Sequence, residues 1–109
     1  MKKYCFALDL VDDAKLIEEY KKYHENVWPE IIDSIKDAGI VDAEIYLVQN
    51  RLFMIVEGDD NFSLEKKSEM DSKNETVQKW ETLMWKYQQA LPGSKPGEKW
   101  QLMERVFKL

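Results

Sequence analysis

Between Arg51 and Gly58 the chain carries five consecutive apolar residues, Leu52-Phe53-Met54-Ile55-Val56, with no proline among them. A run this short, bounded by turn residues, reads as a strand, and in a strand successive side chains point to opposite faces, so neither face is left for water. Such a strand needs cover on both sides, and helices over one face with a second body over the other supply it. Immediately upstream, Asp42–Val48 reads as a partner strand, joined to Arg51–Gly58 by a tight turn at Gln49-Asn50.

The flanking segments extend this unit. Tyr4, Phe6, Leu8 and Leu10 alternate with Cys5, Ala7 and Asp9, the period of a strand over about Lys3–Leu10 with one bulky and one small face. Asp12 and Asp13 then offer a side-chain cap to a helical region that Gly39 closes, and Pro29 predicts a kink or break near Trp28 that divides it. Downstream, Ser63–Met70 reads as a short helix. Glu75–Leu91 reads as a longer one, with Val77, Trp80, Met84, Tyr87 and Leu91 spaced at three or four, and after a Pro/Gly loop Gln101–Leu109 reads as a last strand. The order β-α-β-β-α-β is that of a ferredoxin-like α+β fold, with helices on one face of an antiparallel sheet. At 109 residues, 44% of them hydrophobic, the chain suits one domain over 1–109. Pairing two sheets face to face would cover the second side of Leu52–Val56, so a symmetric homodimer is expected.

Composition removes several classes of function. A net charge of −5, from 21 acidic against 16 basic residues, disfavours nucleic acid and anionic membrane surfaces as partners. The lone Cys5 has no internal disulfide partner and no apolar run is long enough to span a bilayer, so the cytoplasm is the expected compartment. One histidine and one cysteine are too few for a transition-metal centre, the carboxylates lack calcium-loop spacing, and four scattered glycines make no phosphate cradle. Neither metal nor cofactor is expected.

His24, the single histidine, is the one side chain whose ordinary pKa lies near neutrality. Stepping about 100° per residue along the helix places Leu16, Tyr20, His24, Val27, Trp28, Ile31 and Ile35 within an arc of about 120°, so His24 falls inside the apolar stripe. Two readings fit that position equally: a proton-transfer group in an aromatic-walled pocket, and a core-edge imidazole bonded to a backbone carbonyl. Tyr20 and Trp28, taken singly, read as core.

The segment Tyr20-Lys21-Lys22-Tyr23-His24-Glu25-Asn26-Val27-Trp28-Pro29-Glu30 is similar to the Y-x-x-x-H-x-x-x-W-P-E motif of L-rhamnose mutarotases. The likeness continues through Glu44-Ile45-Tyr46-Leu47, Trp80 with Met84, and Glu104-Arg105-Val106-Phe107. This resemblance implies a dimeric α+β barrel, His24 as proton donor and Tyr20 as a hydrogen-bonding partner of the sugar. Two departures stand out. A second substrate-binding tyrosine of the family falls at Ala43, for which Tyr46 is the candidate replacement, and a Trp-Trp pair becomes Trp80-Glu81 with a further aromatic at Trp85. Trp80, with Trp28 or Trp85, is the expected stacking surface for the sugar. The stretch Met84–Gly93 with Pro96–Trp100 looks like a sub-group for which L-fucose stands beside L-rhamnose as substrate. The implied reaction is exchange of α and β anomers by acid/base ring opening and reclosure, which needs no cofactor. A cofactor-free monooxygenase on the same fold and a non-catalytic ligand-binding module are the rival expectations.

Overall fold

The structure, a computed structural model, describes residues 1–109. Strand β1 (Lys2–Leu10) is followed by helices α1 (Ala14–Glu25) and α2 (Pro29–Asp37), a hairpin of β2 (Ile40–Val48) and β3 (Arg51–Gly58), and helices α3 (Leu64–Ser72) and α4 (Glu75–Trp85). Two short strands, β4 (Gln88–Gln89) and β5 (Gln101–Leu102), complete an antiparallel sheet ordered β2-β3-β1-β4, with β5 also on β1. This is the ferredoxin-like α+β arrangement. No helix is long and apolar enough to cross a membrane.

Register decides what each face carries. Tyr4, Phe6 and Leu8 of β1 lie opposite Val56, Met54 and Leu52 of β3, and these lie in turn opposite Ala43, Ile45 and Leu47 of β2. Residues directly opposite share a face, so this set forms the helix-covered side. There Leu8, Leu10 and Leu52 are sealed from water, and at roughly 1.5–3 kcal/mol per buried aliphatic side chain they anchor the sheet to the helices. One core cluster joins Leu10 and Leu52 to Tyr20, Ile31, Val77, Trp80, Met84 and Tyr87, and a smaller one holds Ala38, Ile40, Val56 and Phe62. The opposite face presents Cys5, Ala7, Phe53 and Ile55, half-buried and in neither cluster, and across β1 and β3 a two-pronged ion pair joins Arg51 to Asp9 at 2.7 and 3.1 Å.

The helix boundaries follow the side chains at their ends. Asp13 accepts from the Leu16 N–H at 3.0 Å to start α1, and Asn74 accepts from Thr76 and Val77 to start α4. Pro29 occupies the first turn of α2, where its missing N–H costs nothing, and holds Trp28 in an extended backbone with ψ 133°. The break expected near Trp28 is thus a clean division into two helices, and Gly39, at φ 95°, ends the second.

Two expected boundaries shift. The helix expected to reach Leu91 stops at Trp85, because Gln88 and Gln89 pair with Leu10 and Asp9 and the Val11 N–H donates to the Tyr87 carbonyl. Free backbone on the edge of β1 outweighs the helical spacing of Tyr87 and Leu91. The last strand, expected over Gln101–Leu109, closes at Leu102 with one more bond from the Met103 N–H to the Cys5 carbonyl. Beyond it Val106, Phe107 and Leu109 are exposed.

Gly58 tests the smaller core cluster. A Cβ there would stand 2.5 Å from the ring of Phe62, which is fully buried. Gly58→Ala is expected to destabilise the protein by about 1–3 kcal/mol through overpacking, read as a lower urea midpoint at unchanged m.

Candidate active site

The break at Pro29 brings α1 and α2 around one end of the sheet's covered face, and α4 lies beside them. Between these helices and the strands is a cavity of about 600 Å³. That volume lies within the range of small-ligand pockets. Its walls come from Tyr20 and His24 of α1, Ile31 and Ile35 of α2, and Trp80 and Met84 of α4; its floor is Ala43, Ile45 and Met54, with Gln88 and Trp100 closing the side. A smaller recess of about 190 Å³ lies against the same Tyr20 and His24, bounded by Glu25 and Leu47.

Tyr20 and His24 sit one helical turn apart, with ring centroids separated by 4.3 Å. His24 Nδ1 lies 2.9 Å from the Tyr20 carbonyl oxygen. A carbonyl only accepts, so Nδ1 carries the proton, and in the neutral ring Nε2 holds the free lone pair. Burial lowers the His24 pKa below its ordinary value, and the bond to the carbonyl opposes this in part. The imidazole is therefore neutral at pH 7, ready to accept a proton. Tyr20 is buried, and its pKa is pushed up to about 12 by desolvation, against a hydrogen bond with the Gln88 side chain. The phenol keeps its proton and remains a donor. Trp80 packs edge-on to His24 at 5.7 Å, and Trp28 packs edge-on to Trp80 at 5.0 Å. No three His, Cys, Asp or Glu side chains converge at a point that would hold a metal ion.

A neutral imidazole and a protonated phenol within an apolar cavity suit proton exchange on a small polyhydroxylated ligand, and the family comparison agrees. The model of the L-rhamnose mutarotase family matches residues 3–109. The chain belongs to that family. It is a sugar mutarotase, hence an isomerase. Over 111 residues it is 42% identical to an L-fucose mutarotase of Xanthomonas campestris pv. campestris, covering 100% of this chain and 89% of that protein. Among solved structures it resembles the L-rhamnose mutarotase of Formosa agariphila, with a TM-score of 0.74 and 25% identity, covering 100% of this chain and 99% of the other. A dimeric ferredoxin-like protein from an uncultured marine organism shares the fold, at TM-score 0.63 and 17% identity over 98% of this chain and 96% of that one. Neither the monooxygenase nor the non-catalytic binding module gains support from these relatives.

Of the residues singled out in the sequence, Tyr20, His24 and Trp80 meet at the cavity. Trp28 supports Trp80 from behind without lining the cavity. Trp85 lies outside it, 38% exposed, with the Lys99 ammonium 4.9 Å from its ring centroid. Tyr46 is on the wrong side of the sheet. It pairs with Phe53, is 52% exposed, and donates to Glu44 Oε2 at 3.0 Å. Strand parity is the reason: Ala43 and Tyr46 are three positions apart, so their side chains leave the strand on opposite faces. Ala43 itself lines the cavity, where the family carries a tyrosine.

Gln88, Ile45, Met54 and Trp100 also line the cavity and were not anticipated from the sequence. Parity with Ala43 was a sufficient signal for Ile45. Gln88 was hidden inside the overlong reading of α4, and no local pattern marks it.

As the single histidine, His24 gives one resolved set of imidazole resonances. Its NMR titration midpoint should fall below the ordinary value near 6.5, because folding buries the ring and disfavours the cation; a midpoint at or above that value would contradict the buried, neutral base.

Proposed function

We propose that this chain interconverts the α and β anomers of a free 6-deoxy-L-hexose, with L-fucose preferred to L-rhamnose and His24 as the proton-transfer group. His24 carries this reading: its Nδ1 is committed to the Tyr20 carbonyl, so Nε2 is the one nitrogen free to work in the cavity. Both oxygens of the reaction are bonded to C1, which lets one nitrogen serve both. Neutral Nε2 accepts the proton of the C1 hydroxyl; the C1–O5 bond breaks as C1=O1 forms, and the imidazolium delivers the proton to O5. Rotation about C1–C2 and the reverse transfers close the ring on the other face. The donor role that the resemblance implies for His24 is the second half of this shuttle. A positioned acid or base typically contributes 10² to 10⁴ in rate, roughly 3–5 kcal/mol of barrier, enough for a reaction that already proceeds in water.

Tyr20 donates its phenol hydrogen bond to the sugar, and the Trp80 face, stiffened by Trp28, supports the ring with its C5 methyl. Ala43 favours L-fucose, since the missing tyrosine alters the contacts on one side of the sugar, and the 42% identity to an L-fucose mutarotase points the same way. Residues 1–109 act as one α+β barrel domain, and the cytoplasm is the proposed compartment, in keeping with an unpaired Cys5. The working unit is a homodimer in which the face bearing Phe53 and Ile55 meets its equivalent, as two half-buried apolar faces are better covered than wet.

Anomer exchange by saturation-transfer proton NMR tests the reaction directly. The protein should accelerate exchange of L-fucose more than of L-rhamnose, and His24→Ala should lower the rate at least tenfold with an unchanged circular dichroism spectrum. An unchanged rate would remove His24 from the chemistry. Sedimentation equilibrium should give about 26 kDa, twice the 13.0 kDa chain, and a clean monomer would overturn the sheet-pairing arrangement.

A further inference from the structure

Gln88 carries a buried side-chain oxygen that the fold leaves unpaired. Its backbone sits in β4 opposite Leu10, and its side chain lies on the helix-covered face, where it is 7% exposed and lines the cavity. Its Oε1 is buried without a hydrogen-bond partner, and no other side-chain oxygen or nitrogen in the chain is left so. Native proteins rarely leave such an atom, because a buried unpaired acceptor costs about 1–3 kcal/mol, and an apolar side chain of the same shape would avoid that cost. The Gln88 side chain shares the cavity wall with Tyr20 and acts to lower the phenol's pKa against the effect of burial, as an amide donor close to the phenol would. The fold gains nothing from Oε1, whereas a sugar in an otherwise apolar cavity arrives with hydroxyl donors needing acceptors.

We propose that Gln88 is a substrate-binding and positioning residue: its Oε1 accepts a hydrogen bond from one ring hydroxyl of the sugar, while its amide N–H donates to Tyr20 Oη. The second bond occupies a phenol lone pair and leaves the Tyr20 O–H free to turn toward the sugar. An amide fixed at both ends distinguishes a hydroxyl of one configuration from its epimer, as the epimer leaves Oε1 unpaired. The donor–acceptor polarity of the site then runs from Gln88 to Tyr20 to substrate.

This inference rests on the mutarotase reading, and its test separates the two. Anomer-exchange rates of the parent protein, Gln88→Met and Gln88→Leu are measured with L-fucose, L-rhamnose and the monodeoxy derivatives of the better substrate lacking the hydroxyl at C2, C3 or C4. Both variants should melt no lower than the parent, since they lose an unpaired acceptor. Both should raise KM roughly three- to tenfold for the full sugar. For one monodeoxy sugar, parent and variants should agree within about twofold, because the hydroxyl that Oε1 serves is already gone. Gln88→Met should also lower kcat, because the Tyr20 O–H is no longer held toward the sugar, and that fall should disappear in a Tyr20→Phe background. An equal loss with every sugar overturns the hydroxyl contact, and a variant that fails to fold or melts well below the parent overturns it as well, because the amide would then serve the fold. No exchange by the parent protein with either full sugar overturns the mutarotase reading itself, and this inference with it.

Discussion

The covered face of the sheet is the constraint on which the rest depends. Leu8, Leu10 and Leu52 have essentially no contact with water, and they reach that state only because β1 and β3 pair in the register that sets Leu8 opposite Leu52. A slip of one residue would exchange this face for the one carrying Asp9 and Arg51 and expose the leucines. The ion pair between those two side chains is made in the same register, so the polar and apolar sides specify one alignment. Helices α1, α2 and α4 close over the leucines, and their remaining inner surface becomes the cavity wall. Tyr20, Trp80 and Met84 belong both to the larger core cluster and to the cavity lining. Cavity wall and core share these residues, so core packing holds the wall in place.

Pro29 converts one apolar stripe into two walls. Without it, the stripe from Leu16 to Ile35 would continue along one straight helix. With it, the chain turns at Trp28, α2 takes a new direction, and Trp28 comes to rest against Trp80. Within α1, the bond from His24 Nδ1 to the carbonyl of Tyr20 settles the tautomer, and burial settles the charge. The two readings of His24 that the helix pattern left open are therefore compatible: one nitrogen is bonded to a backbone carbonyl and the other is left for proton transfer.

Much of the fold was legible in the residues. The alternation in β1, the apolar run of β3, the cap at Asp13, the break at Pro29 and the turn at Gly39 are all local signals, each acting within a few residues. Failures came where a distant partner outvoted a local pattern. Tyr87 and Leu91 keep helical spacing, yet β1 offers unpaired backbone that draws Gln88 and Gln89 into a strand. Gln101–Leu109 reads as a strand, yet its pairing with β1 ends at the bond from the Met103 N–H to the Cys5 carbonyl, and the residues beyond are exposed.

The same division runs through the site. By itself the sequence determined that the chain is an α+β mutarotase-family protein, and it singled out Tyr20, His24 and Trp80, which the fold brings together at the cavity, because helical spacing and a dense motif hold that information within short reach. Only the tertiary structure decided that Tyr46 faces away, that Ala43 and Ile45 form the floor, and that Gln88 brings an unpaired acceptor to the cavity. Those facts depend on which edge of β1 is free and which face the helices cover. Both are settled by pairing between residues far apart in the chain, and no local spacing encodes them.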